Sequence, residues 1–461
     1  MVQSTRLLLL LMMVALLAPA ATAAQEPPAG PPDPLAALVA EAWRNNLSLV
    51  GERLALRRTE SEQTAARARF LPAVRLESRA SDLHDAQDLG DLINPAYAAL
   101  NRITGTRDFP TGVSLTLPAR NESRVRVTQP LLNETLRANV ALARARHSGQ
   151  RFELGAAARQ LAAVAQIAYL QEASAERLVS IYAATLELVR ENERVAERLL
   201  AAGRVTPEAV FRARADRAEI EQQLADGREQ AAAAARELNR IVGRPLDAPV
   251  EAIPDSAFDV PLETGAEESV ASALARREEL SQSDAGVRAA EAAKRIATAS
   301  LLPSVAGVFD LVSQGRDWSF GKDQRSWTAS LVASWDLSPA SDVAQRSAAR
   351  YEVERARNAR RDAAERITVE VRNAHEAARV ARAAIATAAA RAEAARRTFT
   401  LVRRRYEEGS ASPVELVDAR TSLTNAESNQ VLTLYRYAIR RVDLERAAAR
   451  RDLPLVKGDL R

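Results

Sequence analysis

Apolar positions along this chain follow two periods, and the change between them divides the sequence into a small set of elements. From residue 35 an alanine-rich amphipathic pattern runs to Leu71-Pro72, and a second one runs from 266 to Leu302-Pro303. The residue before a proline is pushed out of the helical region, so each pattern predicts a helix that ends there. Beyond each Leu-Pro the period becomes two. Trp327, Ala329, Leu331, Ala333 and Trp335 alternate with Thr328, Ser330, Val332, Ser334 and Asp336, which gives one apolar and one mostly polar face. Val113, Leu115 and Leu117 alternate with Ser114 and Thr116 in the same way. The spacing predicts strands over about 72–81 and 112–129, then about 303–313 and 326–337. Between the first two lies a polar, unpatterned stretch, roughly 81 to 111, read as an exposed loop.

The period then returns to seven. Residues 132–202 and 338–408 hold no proline except Pro339, and glycine only at Gly149 and Gly155. At 1.5 Å per residue these are helices of about 100 Å, far too long for a globular core. Ile181, Leu188, Val195 and, beside them, Tyr182, Val189, Ala196 form two adjacent seams, as a helix with neighbours on both sides requires. Each long helix stops at a glycine with a proline four residues on: Gly203-Arg204-Val205-Thr206-Pro207 and Gly409-Ser410-Ala411-Ser412-Pro413. Glycine suits a left-handed C′ position, Thr206 or Ser412 suits an N-cap, and proline suits the first helical turn, so the chain reverses there.

These elements repeat. Ala66, Phe70-Leu71-Pro72 and Val74 correspond to Ala297, Leu301-Leu302-Pro303 and Val305 at an offset of 231. Leu131, Ala138, Gly203, Pro207, Ala213 and Leu238 correspond to Leu337, Ala344, Gly409, Pro413, Ala419 and Leu444 at 206. The organisation read from this is a first structural repeat over 35–244, a linker with four prolines over 245–265, a second repeat over 266–450 and a tail over 451–461.

Before the first repeat, Arg6 precedes an apolar run from Leu7 to Leu17, and small residues follow at 20–24. That pattern is a secretory signal peptide over 1–23, ahead of a proline-rich segment at 24–34. No later window has 18 uncharged apolar residues, so membrane insertion is expected by strands alone. Trp327 and Trp335 are eight residues apart on one face, about 26 Å along a strand, which suits two aromatic girdles at the edges of an outer-membrane apolar band. Four strands cannot close in lipid, so the barrel is expected to be shared among copies: two chains give eight strands, three give twelve.

Composition narrows the chemistry. There are no cysteines, which excludes disulfides, thiolate metal sites and a lipid-modified N-terminal cysteine. The net charge is only +4 from 64 basic and 60 acidic residues, so nucleic acid is not an expected partner. The three histidines, His84, His147 and His375, have no ligand spacing, and no glycine-rich phosphate loop occurs. No metal, cofactor or enzymatic activity is expected.

The Leu-Pro helix ends, the Gln129-Pro130-Leu131-Leu132 and Trp335-Asp336-Leu337 strand exits, the Gly-x-x-x-Pro hairpins and their duplication resemble the TolC family of outer-membrane efflux channel proteins. The resemblance covers roughly 35–450. It implies a mainly α fold with a small β part, in which a duplicated helix-strand-strand-helix unit forms, as a homotrimer, a twelve-stranded outer-membrane β-barrel continued by a periplasmic α-helical barrel. It further implies a passive, Gram-negative exit duct for efflux or type I secretion, docked to a periplasmic adaptor and an inner-membrane pump. The chain departs from the family at Asn45-Asn46, where Asn-Pro is frequent, and at Leu132 and Leu337, which no glycine pair follows.

Two sets of residues follow from that likeness. The tip residues Gly203, Val205, Thr206, Pro207, Gly409, Ala411, Ser412 and Pro413 are candidates for adaptor contact. Tyr406, Glu415 and Asp418 resemble a tyrosine and two acidic positions that line the closed periplasmic entrance. Independently of the likeness, Glu415 and Asp418 share a helix face near its N-terminus, where carboxylates favour the dipole in any case. Ala209 stands where related sequences often have an acid. The alternative reading is a soluble periplasmic coiled-coil adaptor or scaffold; two hairpins of equal length favour the channel.

Overall fold

The computed structural model describes residues 35–81, 88–114, 121–262, 265–299, 301–315, 325–335 and 339–451. The expected signal peptide, the proline-rich segment, His84, Leu115, Leu117, Trp318, Asp336, Leu337 and all of the tail but Arg451 lie outside them. Residues Met1–Ala37 and Leu38–Arg461 are separate units, and the architecture below is that of the second, the first helix beginning at Ala36.

In chain order the elements are α1 (Ala36–Asn45), α2 (Leu47–Ala68), β1 (Ala73–Ala80), α3 (Gly90–Thr104), β2 (Asn121–Leu132), α4 (Glu134–Ala201) and α5 (Pro207–Val242). A single 3₁₀ turn at Asp255–Ala257 separates these from α6 (Ala266–Arg276), α7 (Glu278–Ala299), β3 (Ser304–Gly315), β4 (Arg325–Ser334), α8 (Pro339–Glu407) and α9 (Pro413–Ala447). The helices α4 and α8, of 68 and 69 residues, span the molecule, about 100 Å each. Towards the sheet the helices lie side by side in the order α2, α4, α7, α8; towards the hairpin tips the order is α5, α4, α9, α8. The protein is therefore a slab four helices wide, one helix thick, capped by four strands.

Small residues allow that packing. Ala285, Ala292 and Ala299 form a heptad seam on α7, all buried, and Ala285 faces Gly149 of α4, where a β carbon would make an ordinary contact at 3.7 Å. On α8 one seam runs Val371, Ala378, Ile385, Ala392, Phe399, Tyr406, and a second runs Ile367, Ala374, Ala381, Ala388, Ala395, Val402, each buried or partly buried. Of the seams expected on α4, Val189 and Ala196 are buried, against Ile220 and Leu224 of α5 and Val210 and Ala213 respectively. Leu188 of the other seam is 39% exposed.

The duplication extends to contacts the sequence does not display. In each repeat the opening helix is broken once, at Asn46 and at Arg277, positions related by the 231 offset. Both are extended, with ψ of 121° and 125°. Asn46 caps α2 by accepting from the amides of Ser48 and Leu49, and its Nδ2 donates to the Ile241 carbonyl at 2.9 Å. Arg277 donates to the Ala447 carbonyl at 3.1 Å, and Ala447 is Ile241 shifted by 206. Arg277 is buried and also pairs with Glu279 and Glu370. The helix expected as one piece in each repeat is thus two, because the break residue is held from the end of the returning helix.

The first repeat departs from expectation in one place. β2 begins at Asn121, not at 112. Val113 is instead bound to Asn94 of α3, whose amide donates to the Val113 carbonyl at 2.7 Å and accepts from its N–H at 2.9 Å. Asn101 grips Phe109 identically, at 2.7 and 3.1 Å. The described part of the stretch read as an unpatterned loop, from 88 on, therefore contains a helix with the following segment bound back onto it. Gly90 opens its helix because the Val113 carbonyl lies where a β carbon would be, 2.0 Å from it. β2 in turn runs three residues past the expected 129, through a bulge at Leu131, the residue skipped in the register between Pro130 and Leu132.

Candidate functional site

The sheet is an antiparallel meander, β1-β2-β3-β4. Its register gathers most of the large apolar side chains on one face, with Ser78, Ser123, Ser313 and Arg325 at one end of that face and Val308, Val312 and Val332 on the other face. Val74↔Val127↔Phe309↔Ala329 and Leu76↔Val125↔Leu311↔Trp327 place aliphatic and aromatic groups on one face, with Gly307↔Leu331 and Val305↔Ala333 continuing it. Leu76, Trp327 and Leu331 are 73%, 69% and 72% exposed, so this face lacks cover among the described residues. Trp327 stacks on Phe309 with centroids 6.2 Å apart, and Trp335, 59% exposed, follows directly on the end of β4. The opposite face is a ladder of charges. Arg126 binds Asp310 with two bonds of 2.8 and 3.1 Å, Glu122 accepts from Arg79 at 2.7 Å and Arg124 at 2.6 Å, and Arg75 meets Glu77 at 3.3 Å. Among the described residues β1 and β4 pair on one side only.

At the far end of the slab, both reversals use one backbone motif. Gly203 and Gly409 have φ of 66° and 76°. In the first tip the N–H groups of Gly203 and Arg204 donate to Leu200 and Leu199; in the second those of Gly409 and Ser410 donate to Tyr406 and Arg405. These are paired Schellman bonds, with Pro207 and Pro413 starting the return helices. The caps differ. Ser412 and Glu415 form a reciprocal capping box, in which the Glu415 N–H donates to Ser412 Oγ at 3.2 Å and the Ser412 N–H donates to the carboxylate at 3.4 Å. Thr206 makes no side-chain cap bond, and the position matching Glu415 is Ala209.

The three entrance candidates are accordingly separated. Tyr406 is 6% exposed, the last knob of its heptad seam, packed with Phe399, Leu416, Ala419 and Leu423, and burial holds its phenol above the ordinary range. Glu415 is exposed but engaged in the cap, with Arg405 3.9 Å from its second oxygen. Asp418 stands on the exposed face with no ion-pair partner among the described residues.

Sequence reasoning missed a group beside them. Asp216 of α5 and Arg420 of α9 form an ion pair, 5% and 7% exposed, between the two hairpins. Burial pushes the Asp216 carboxyl up, against the pull of Arg420. With Tyr406, Phe399, Arg403 and Leu188 they line a cavity of about 120 Å³. No signal marks the pair in the sequence, since both sit among many charges 204 positions apart. Among the described residues no cluster of His, Cys, Asp and Glu could hold a metal ion, and no helix is long and apolar enough to cross a membrane.

Residues 270–450 match the outer membrane efflux protein family. That match covers nearly all of the second repeat. The first repeat, related to it by the offsets of 231 and 206, is built from the same elements. The solved structure of CusC, described for conformational changes accompanying folding and transmembrane channel formation, is similar over 89% of this chain and 91% of its own, with a TM-score of 0.76 at 17% identity. The CmeC outer membrane channel of Campylobacter jejuni is similar over 90% and 85%, at 0.73 and 16%. The open state of the Neisseria gonorrhoeae MtrE outer membrane channel is similar over 90% and 89%, at 0.73 and 18%. No curated protein sequence matches this chain. The fold shared with these proteins is the helical slab with its four-strand sheet.

Proposed function

We propose that this efflux-protein chain is one third of a passive exit duct, which conducts substrates from an inner-membrane pump through the periplasm and across the outer membrane. The observation that carries the reading is the sheet: an apolar face without cover, a charged face opposite, and open edges on β1 and β4. In lipid such edges are prohibitive, and three copies supply twelve strands around a charged lumen. The same three copies bring twelve helices into the barrel below, four from each slab.

In this reading the tips formed by Gly203, Val205, Thr206, Pro207, Gly409, Ala411, Ser412 and Pro413 meet the adaptor, because they are the exposed ends farthest from the sheet. Asp418 is the residue of the entrance set with its charge free to face an axis; Tyr406 and Glu415 hold the shape of the tip. Trp327 and Trp335 anchor the apolar band.

The test is assembly and conduction together. Detergent-extracted protein should have a mass of three chains by native mass spectrometry, and it should give discrete conductance steps in planar bilayers. Recovery as a water-soluble monomer from the periplasm would replace this reading with the scaffold alternative.

A further inference from the structure

The linker between the repeats is fastened across the slab by two tyrosines. Tyr169 of α4 donates to the Glu251 carbonyl at 3.0 Å and accepts from the Ile253 N–H at 2.7 Å; Tyr435 of α9 donates to Asp255 Oδ1 at 2.8 Å. Arg177 of α4 binds the other Asp255 oxygen at 2.6 and 2.9 Å. Phe258 sits between the two phenol rings, 6.3 and 5.8 Å from them. Beneath this strap is a cavity of about 660 Å³, walled by tyrosine, alanine, proline, valine and isoleucine side chains.

Glu172 lines it, one turn beyond Tyr169. The residue is 7% exposed, and its carboxylate has neither a hydrogen-bond nor an ion-pair partner among the described residues. Glu176, one turn further at the rim, has none either. Arg177, the nearest arginine on the same helix, is bound to Asp255, and those two charges cancel. Two carboxylates without an ion-pair partner among the described residues thus share an open cavity, lined partly by tyrosine, proline and aliphatic side chains and of the size that holds a drug-sized ligand. A buried carboxylate without a partner is unfavourable unless a cation joins it.

We propose that this cavity is a binding site for a small organic monocation, whose positive centre pairs with Glu172 and whose apolar groups lie against Tyr169, Tyr435 and the linker. The site is outside the sheet and the tips, so it stands apart from conduction.

The charged and titratable groups around Glu172 set its pH response. They are Glu176, Arg177 and Tyr169 on α4, Glu251 and Asp255 on the linker, and Tyr435 on α9. Burial, then Glu176, pushes the Glu172 carboxyl up to about 7. Both phenols are raised by burial and stay neutral. Glu172 is therefore mostly protonated at pH 5.5 and ionised at pH 8, and cation affinity should rise across that interval.

The assembled channel in a non-ionic detergent is dialysed against tetraphenylphosphonium, with neutral triphenylphosphine oxide as the uncharged control. Expected are one saturable site per chain, an affinity at least about tenfold higher at pH 8 than at pH 5.5, and a loss of about tenfold in Glu172→Gln at pH 8, with little pH dependence left. Ala252→Trp, which narrows the cavity from the linker side, should weaken binding without altering Glu172. The wild-type pH comparison needs no variant. No saturable binding, equal binding of the neutral control, or a Glu172→Gln affinity within twofold of wild type overturns the proposal.

Discussion

The first tip turns at Gly203 and the second at Gly409 through the same pair of hydrogen bonds, yet the helices leaving them are held by different chemistry. The second has a capping box and contributes Arg420 to a buried pair; the first has an uncapped threonine, and Arg214, at the position matching Arg420, is half exposed. A similar divergence marks the other end of each returning helix. Gly243 closes α5 at φ 81°, and its counterpart after α9 is Ala449 at φ 50°, the one non-glycine residue with positive φ among those described. Backbone conformation has been kept through the duplication while the side chains that enforce it have been redistributed. The slab needs two hairpins of one length, but it needs only one of each pair to supply a given interaction.

The largest asymmetry expected is at the arginine pair. Arg420→Ala strands the buried Asp216 carboxylate and should destabilise by about 3–5 kcal/mol, read as a lower midpoint of thermal or denaturant unfolding. Arg214→Ala removes exposed contacts to Glu193 and Glu197 and should leave that midpoint unchanged. Equal effects would mean that the two hairpins are locked together elsewhere.

Next come the helix ends, where the same exchange should act with opposite sign. A β carbon on Gly243 would meet Asn45 Cβ at 2.6 Å, so Gly243→Ala should destabilise by about 1–3 kcal/mol. Ala449→Gly relieves a left-handed alanine and should stabilise by at most about 1 kcal/mol, since the unfolded chain gains freedom. Both shifts are read from unfolding midpoints on the same preparation.

How far the sequence spoke for itself depends on how local each cause is. The hairpins, the duplication and the length of α4 and α8 were legible because Gly-x-x-x-Pro chemistry and heptads act over a few residues. The second repeat's strands were legible because Trp327 to Trp335 alternate without interruption. The start of β2 was not, since Val113 alternates with its neighbours as a strand does, and what removes it is Asn94, nineteen positions away. The helix within 81–111 escaped for the same reason. The breaks at Asn46 and Arg277 depend on Ile241 and Ala447 carbonyls, and the Asp216–Arg420 pair and the Glu172 cavity depend on helices brought together from both repeats. Of the entrance set, residue identity was readable, but the division of labour was not: Tyr406 continues a seam that begins at Val371, and Glu415 belongs to its own helix end.

That division can be sharpened at the caps. Glu415→Ala removes half of the capping box and should destabilise the second tip by about 1 kcal/mol, while Ala209→Glu gives Thr206 the partner it lacks and should stabilise the first by about 0.5–1 kcal/mol. In planar bilayers, Asp418→Ala should shift cation preference more than Glu415→Ala. A larger shift from Glu415 would assign its carboxylate to the lumen instead of to the cap.

The smallest effect expected is that of Tyr406→Phe, and it separates two roles a tyrosine at this place could have. Its ring fills a heptad position against Phe399, Leu416 and Leu423, and its hydroxyl makes no hydrogen bond among the described residues. Tyr406→Phe keeps the ring and removes only the hydroxyl, so stability should change by less than about 0.5 kcal/mol and single-channel conductance should stay as in wild type. Tyr406→Ala empties the position and should destabilise by about 3–5 kcal/mol. A rise in conductance with Tyr406→Phe would show that the hydroxyl ties one copy to the next across the entrance, which a residue serving only the seam cannot do.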